Sequence, residues 1–355
     1  MPVVDGHNDL PWALRVRAGG DLSIADPSRE LSGYHTDGPR LRAGGVGAQF
    51  WSVYVPSWQP KPFDSVMEQI ELVEAMTSHD PVHLGRARTA EDAVAISRAG
   101  RTASLMGAEG GHAIENDLGK LRELSTRGVR YLTLTHGDTI EWADSATDVH
   151  RHGGLTEFGR TVVETMNDLG MVVDISHVSA DTMRASLETT QRPVMASHSG
   201  ARSVAPHPRN VPDDVLEAVA RNDGVVMVNF YPPFVVESAA LATMEMFAEA
   251  RDLRSSFDTE DEFEAEIAHR RRERDIDRGT VGNVVDHIEH IVAVAGVDHV
   301  GLGSDFDGID VTPVGLEDVS TYPAITMELI ARGWSDPEIV KVLGSNALRV
   351  LAAND

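Results

Sequence analysis

The sequence contains no cysteine among its 355 residues. This absence excludes disulfide bonds, thiolate zinc sites and a cysteine nucleophile together. Any metal ion bound by this chain must therefore be held by histidine, aspartate and glutamate side chains.

Long apolar runs and an excess of basic residues are also missing. No stretch approaches the roughly 18 consecutive apolar residues of a membrane span, and the N-terminal MPVVDGHNDLPW lacks the features of a signal peptide. We therefore expect a cytoplasmic protein with no membrane contact. The formal net charge of −25 would repel phosphate backbones, so nucleic acid is not an expected partner.

What the sequence does contain is a repeated alternation of apolar, β-branched runs with amphipathic helical stretches. The apolar runs are mostly continuous, which is typical of strands buried on both faces. Eight such units predict a (β/α)8 TIM-type barrel formed by a single domain over residues 1–355. The predicted strands are Val3–Asp5, Val46–Tyr54, Thr102–Met106, Tyr131–Thr135, Met171–Ile175, Val194–Ser197, Val225–Asn229 and Val300–Gly303.

Helices are predicted between these strands from their apolar faces and capping residues. A long charged segment, Glu237–Thr280, interrupts the alternation before the last strand, and we expect it to be a helical insertion on the barrel. A contribution to a dimer contact is the alternative, and a separate domain is less favoured because the segment has few large apolar residues. The predicted helices are Ser65–Thr77, Ala90–Arg98, Glu157–Leu169, Ala180–Leu187 and Asp213–Arg221.

Most of the predicted strands are followed by a residue that can bind metal or transfer protons. In an α/β barrel the chemistry lies at the carboxyl ends of the strands, and histidines with purely structural roles would not share this position. The residues concerned are His7, Asp9, Glu109, His136, His177, His198 and Asp305.

Five of these residues form a predicted metal site. His7 and Asp9 are two residues apart, so an extended chain directs both to one side; the alternative is a pair that only stabilises the strand end. Glu109 is surrounded by small residues and could bridge two cations, whereas a solvated glutamate in a glycine-rich turn is the alternative. His177 and His198 follow successive strands, which favours ligands over ordinary core histidines. Imidazole and carboxylate ligands suit zinc, manganese or iron.

The five residues give two metal ions a shared carboxylate, with two further ligands each and room for a bridging water of lowered pKa. Asp305 could take a proton from that water and pass it to a leaving amine, although Asp307, two residues further on, competes for this role. His136 could donate to a developing oxyanion or could be a capping histidine. Asp174 could orient a ligand from behind.

The motifs together resemble the membrane (renal) dipeptidase family of zinc metallopeptidases, within the amidohydrolase superfamily. They occur in the family's order as DGHNDLPW (5–12), EGGH (109–112), LTH (134–136), DISHVS (174–179), SHS (197–199), RNVPDD (209–214) and GSDFDG (303–308).

The resemblance implies a role for each matching residue. It implies one zinc ion on His7, Asp9 and Glu109, and a second on Glu109, His177 and His198. It also implies that Asp305 is the proton shuttle and that His136 contacts the substrate carbonyl or oxyanion. Arg209 is implied to bind the substrate's terminal carboxylate, to which a guanidinium is suited. Its neighbour Asn210 is also predicted to contact the substrate.

The resulting prediction is a dipeptidase that hydrolyses L-Xaa-L-Xaa and L-Xaa-D-Xaa dipeptides by attack of a metal-bridging hydroxide. The resemblance also implies a homodimer. Because the chain lacks cysteine and a lipid-anchor signal, we expect the bacterial cytosolic type. Two alternatives stay open at this point: a binuclear amidohydrolase acting on N-acyl amino acids or another small carboxylated amide, and a metal-binding scaffold without turnover.

Overall fold

The protein is a closed barrel of parallel β-strands surrounded by helices. The computed structural model describes residues 2–253, 256–257, 266, 269 and 276–355. Eight strands close the barrel in the order β1-β2-β4-β5-β6-β7-β8-β9, with β9 pairing back onto β1. The strands are β1 (Val3–Asn8), β2 (Val46–Ser52), β3 (Leu84–Arg86), β4 (Thr102–Glu109), β5 (Val129–Thr133), β6 (Val172–Asp174), β7 (Met195–Ser199), β8 (Val225–Val228) and β9 (Val300–Leu302).

The helices lie between the strands and after the last one. They are α1 (Leu10–Ala18), α2 (Gly38–Ala43), α3 (Pro62–His79), α4 (Ala90–Arg98), α5 (Leu118–Arg127), α6 (Glu157–Leu169), α7 (Ala180–Thr189), α8 (Asp213–Arg221), α9 (Pro232–Val235), α10 (Glu237–Leu253), α11 (Val281–Ala295), α12 (Pro323–Ala331), α13 (Asp336–Val340) and α14 (Asn346–Ala353). None of the helices in the described ranges is long and apolar enough to cross a membrane.

The barrel prediction is confirmed, and all eight predicted strands are present with shifted ends. The helix boundaries follow the capping residues: the Thr89 side chain accepts from the Asp92 amide at the start of α4, and Gly170 adopts a left-handed conformation after α6. These local signals explain why α4 and α6 match their predicted bounds; α8 also matches, beginning directly after Pro212.

The structure also contains a strand that the sequence analysis did not predict. β3 has only three residues and pairs with the first residues of β4, outside the ring of eight. A run this short carries no detectable periodicity. In the predicted insertion 237–280, residues Glu237–Leu253 are helical as expected, and most of the remainder lies outside the described residues.

The barrel interior changes from apolar to polar along the strands. Alternate strand residues point inward, and the lower layer is apolar, including Leu105, Tyr131, Met195 and Met227. Helix α14 packs against this layer. The next inward-facing residue lies two positions further along the chain. After Tyr131, Met195 and Met227 this residue is buried and polar: Thr133, Ser197 and Asn229 respectively. The upper, carboxyl end of the barrel is therefore lined with hydrogen-bonding groups.

Close backbone contact at this upper level generates a stability prediction. A Cβ atom at Gly303 would lie 1.9 Å from the Ser197 carbonyl oxygen, and a backbone atom cannot move aside easily. We expect Gly303→Ala to lower the free energy of unfolding by about 1–3 kcal/mol or more, the usual cost of overpacking a core. Urea denaturation measures this difference. Gly137→Ala, where a Cβ would have no atom within 4 Å, is the control. Equal stability of the two variants would contradict this packing.

Candidate metal and substrate site

The residues predicted to form the site converge at the carboxyl end of the barrel. His7 lies within β1, Glu109 is the last residue of β4 and His198 lies within β7, while Asp9 directly precedes α1. Their donor atoms form three mutually close groups: His7, Glu109 and His198; Glu109, His136 and His177; and His7, Asp9 and Asp305.

Glu109 lies at the centre of these groups, and its two carboxylate oxygens face different partners. Oε2 is 3.5 Å from His7 Nε2 and accepts a hydrogen bond from Ser52 Oγ at 3.2 Å. Oε1 is 3.0 Å from His177 Nε2 and 3.3 Å from His198 Nε2. A carboxylate in this position has one oxygen for each of two cations.

The donor atoms around His7 fit a metal ion better than they fit one another. His7 Nε2 is 3.3 Å from Asp9 Oδ2, yet Nε2 and Asp9 Oδ1 are both buried without a hydrogen-bond partner among the described residues. Buried polar atoms are rarely left in this condition. A cation would satisfy both, so these residues fit the metal that the sequence motifs predict.

His177 and His198 bring two imidazole nitrogens together on the opposite side of Glu109. Their Nε2 atoms are 2.8 Å apart. His198 is held from behind, because its Nδ1 is 2.8 Å from Ser197 Oγ, and that hydroxyl donates to Asp174 Oδ2 at 2.7 Å. Asp174 therefore orients a histidine through a serine, which agrees with its predicted place behind the ligands.

The electrostatic environment favours neutral imidazoles at His177 and His198 beside an ionised carboxylate. At His7 burial favours the neutral form, but Tyr131, Glu109 and Asp9 outweigh it and raise the pKa well above the usual value, so a cation bound there would displace a proton. Burial lowers the pKa of His177 and of His198 well below the usual range, and the charge of Arg209 acts in the same direction. Burial opposes ionisation of Glu109, but His7 and the bonds with His177 and His198 lower its pKa well below the ordinary value. Neutral imidazole and ionised carboxylate are the forms that bind metal.

The backbone is strained at three residues of this region. His177, Asp305 and Asp307 have φ angles of 65°, 66° and 65°, in the left-handed region that residues other than glycine seldom adopt. Such conformations persist where the surrounding structure determines them, and they concentrate at functional sites.

The structure separates the two aspartates that compete for the proton-transfer role. Asp305 lines the cavity, and its Oδ2 accepts from Asn229 Nδ2 at 2.9 Å. Asp307 is paired with His35: its Oδ1 accepts from the His35 amide at 2.8 Å, and its own amide donates to His35 Nδ1 at 3.0 Å. Asp307 thus joins two loops, and Asp305 is the carboxyl that faces the cavity.

A cavity of about 680 Å³ opens above the cluster. Arg209 is 2% exposed, lines this cavity and lies over the Phe234 ring with its guanidinium carbon 5.1 Å from the ring centre. His136 also lines the cavity, with its ring 4.4 Å from that of His177. The aromatic part of the wall consists of Trp12, Tyr54, Tyr231 and Phe234.

Asn210 is placed differently from its predicted substrate contact. It is fully buried and is not among the residues that line the cavity. Its Oδ1 accepts from the Gly200 amide, and its Nδ2 donates to the carbonyls of Ala205 and Phe234. The side chain therefore holds the loop that carries Arg209 and has no group directed at a substrate.

Sequence reasoning missed two residues that organise the site. Asn229 follows β8, which with β2 is one of the two barrel strands for which no site residue was proposed, so its place at a strand end was a usable signal. Tyr131, whose hydroxyl lies 2.8 Å from His7 Nδ1, looks like an ordinary aromatic strand residue and offered no signal in the sequence.

Comparisons with known proteins show the family to which this chain belongs. The family model for membrane dipeptidase (peptidase family M19) matches residues 1–355. The dipeptidase verJ of Clonostachys rogersoniana is 36% identical over 99% of this chain and 84% of its own length. The chain belongs to the membrane dipeptidase family, peptidase family M19. As a member of that family it is a metal-dependent dipeptidase.

Solved structures show the same fold. The dipeptidase AC, a metallopeptidase of family M19, is 25% identical with a TM-score of 0.80, covering 100% of this chain and 98% of its own. A metallopeptidase from Rhodobacter sphaeroides, liganded with a phosphinate mimic of the dipeptide L-Ala-D-Ala, is 24% identical with a TM-score of 0.81, covering 100% and 99%. The probable dipeptidase PvdM from Pseudomonas aeruginosa is 24% identical with a TM-score of 0.83, covering 99% and 95%.

Proposed function

We propose that this enzyme hydrolyses dipeptides with two zinc ions held by His7, Asp9, Glu109, His177 and His198. The observation that carries the proposal is the position of Glu109, whose Oε2 faces His7 and whose Oε1 faces His177 and His198. On this proposal Asp9 completes the first ligand set. Bacterial cytosolic location and a homodimer stay predictions.

Zinc accords with a ligand set made of imidazole nitrogens and carboxylate oxygens, and the family resemblance favours it over manganese and iron. Two bound cations would supply a water of lowered pKa and a polarised substrate carbonyl. The remaining steps belong to side chains of this chain.

Asp305 is the proposed proton carrier. Burial, together with the negative charges of Asp9 and Glu109, raises the pKa of Asp305 to about 8. Bound cations would oppose this rise, while burial continues to favour the protonated form, so the carboxyl is suited to exchange a proton with its surroundings. Asn229 holds Oδ2, so Asp305 is kept in place while it accepts a proton from water and returns one to the leaving amine.

Arg209 is the proposed partner of the substrate's terminal carboxylate. It is the only lysine or arginine among the described residues that line the cavity, and burial lowers its pKa to about 10, which leaves it charged at neutral pH. A buried guanidinium would select a substrate whose carboxylate lies one residue beyond the scissile bond. His136 lines the cavity wall, and its proposed role is to donate to the carbonyl oxygen as negative charge develops there.

Amino-acid release from a peptide panel tests the proposed activity. The panel contains L-Ala-L-Ala, a tripeptide, an N-acetylated dipeptide and L-Ala-D-Ala, the last because a mimic of it is bound by the Rhodobacter sphaeroides relative. We expect zinc-loaded enzyme to release amino acids from both dipeptides, and chelator-treated enzyme to be inactive until zinc returns. Preferential cleavage of the N-acetylated compound would instead favour the amidohydrolase alternative.

Replacement of the two neighbouring aspartates tests the proton carrier. Asp305→Asn should lower kcat by about 10²- to 10⁴-fold, the usual contribution of a general acid–base group, with zinc content unchanged by elemental analysis. Asp307→Asn, the matched control, should keep kcat within a few-fold because Asp307 faces His35. Near-normal turnover of Asp305→Asn would refute the assignment.

A change of substrate isolates the role of Arg209. Arg209→Met should lower kcat/KM for L-Ala-L-Ala by about 10- to 100-fold, as expected for the loss of a hydrogen bond to a charged group. The same variant should act on the dipeptide amide, which has no carboxylate, at nearly the rate of the unmodified enzyme. Equal losses on both substrates would show that Arg209 has only a structural role.

A further inference from the structure

Tyr131 lies beneath the proposed metal site and is completely buried inside the barrel. Its ring packs directly on the backbone of Gly107, so closely that a Cβ atom added to Gly107 would lie 1.9 Å from the ring carbon Cζ. The ring also packs against that of Phe50, at a centroid distance of 5.4 Å. The ring position is therefore fixed by packing, and its hydroxyl is held at one point in the interior.

That hydroxyl has two partners. It lies 2.8 Å from His7 Nδ1 and 3.2 Å from the carbonyl oxygen of Gly6. A phenol has one proton to donate and oxygen lone pairs that accept, while a carbonyl can only accept. If the phenol donates to Gly6, it can accept a hydrogen bond from His7 Nδ1–H, and all three groups are satisfied.

The reverse arrangement removes a donor from the Gly6 carbonyl and blocks the metal position. Were the phenol to donate to His7 Nδ1, the imidazole proton would be on Nε2. That nitrogen lies 3.3 Å from Asp9 Oδ2 and 3.5 Å from Glu109 Oε2, so its proton would occupy the place of a cation. The first arrangement leaves a lone pair on Nε2, which is the form that can bind a cation.

His198 has an equivalent hydroxyl behind its ring, with Asp174 as the acceptor in place of a backbone carbonyl. Ser197 Oγ donates to Asp174 and can therefore accept from His198 Nδ1–H. The rings of His7 and His198 stack with centroids 3.8 Å apart, and both direct Nε2 toward Glu109. A hydroxyl backed by an acceptor thus lies behind each of these two imidazoles.

We propose that Tyr131 is a positioning residue that holds His7 as the Nδ1–H tautomer and directs its Nε2 to the metal ion bound with Asp9 and Glu109. This inference rests on the proposed two-zinc site. The hydroxyl acts through His7 and has no contact with substrate in this account.

Tyr131→Phe tests the proposal because it removes the hydroxyl and keeps the ring that packs on Gly107. We expect one of two zinc equivalents to bind about 10- to 100-fold more weakly, the usual effect of losing a partner behind a metal ligand. Competition between the protein and a chromogenic chelator for Zn²⁺ measures both equivalents. Tyr34→Phe, which removes a phenol hydroxyl from the loop after α1, should leave both unchanged.

Nitrogen-15 NMR of the histidine rings gives a second readout that does not depend on activity. In the zinc-loaded unmodified protein, His7 should show a protonated Nδ1 and an unprotonated Nε2, and this signal should change in Tyr131→Phe. The unfolding midpoint of the zinc-free variant shows whether the variant is folded. Unchanged zinc affinity in the variant, or a His7 protonated at Nε2 in the zinc-loaded unmodified protein, would overturn the role of Tyr131 alone. An unmodified protein that binds no zinc would overturn the proposed function as well.

Discussion

The site depends on a single buried carboxylate that is shared between two groups of nitrogen and oxygen donors. Glu109 closes β4 at the centre of the barrel mouth, with its side chain only 5% exposed and its two oxygens facing opposite partners. Each partner comes from a different strand or strand end, so the closed barrel is what brings them within reach. Burial makes this negative charge costly. His7, His177 and His198 offset the cost in the structure, and the proposed metal ions would offset it when bound.

The local sequence was sufficient to identify the barrel and the polar residues at its carboxyl end. Continuous apolar runs identified the strands. His7, Glu109 and His198 each follow such a run, which indicated that they lie together at the carboxyl end of the barrel. Asp305 and Asp307 could not be separated in this way, because both follow β9 and the difference is a pairing of Asp307 with His35, 272 residues away in the chain. Such distant contacts leave no periodic signal.

The residues behind the ligands were the hardest to predict for the same reason. Tyr131 has the apolar pattern of its strand, and only the closed barrel brings its hydroxyl to His7, 124 residues away. Asn210 illustrates the opposite error. Its place beside Arg209 suggested a substrate contact, whereas its side-chain amide is hydrogen-bonded to backbone groups of Gly200, Ala205 and Phe234. Proximity in a motif therefore does not distinguish a group that contacts substrate from one that shapes the loop.

The central claim is that Glu109 is shared by two metal ions, and anomalous diffraction from zinc-soaked crystals tests it most directly. The account predicts two peaks on opposite sides of Glu109, one beside His7 and Asp9 and the other beside His177 and His198. A single peak at saturating zinc, or peaks away from these residues, would contradict it.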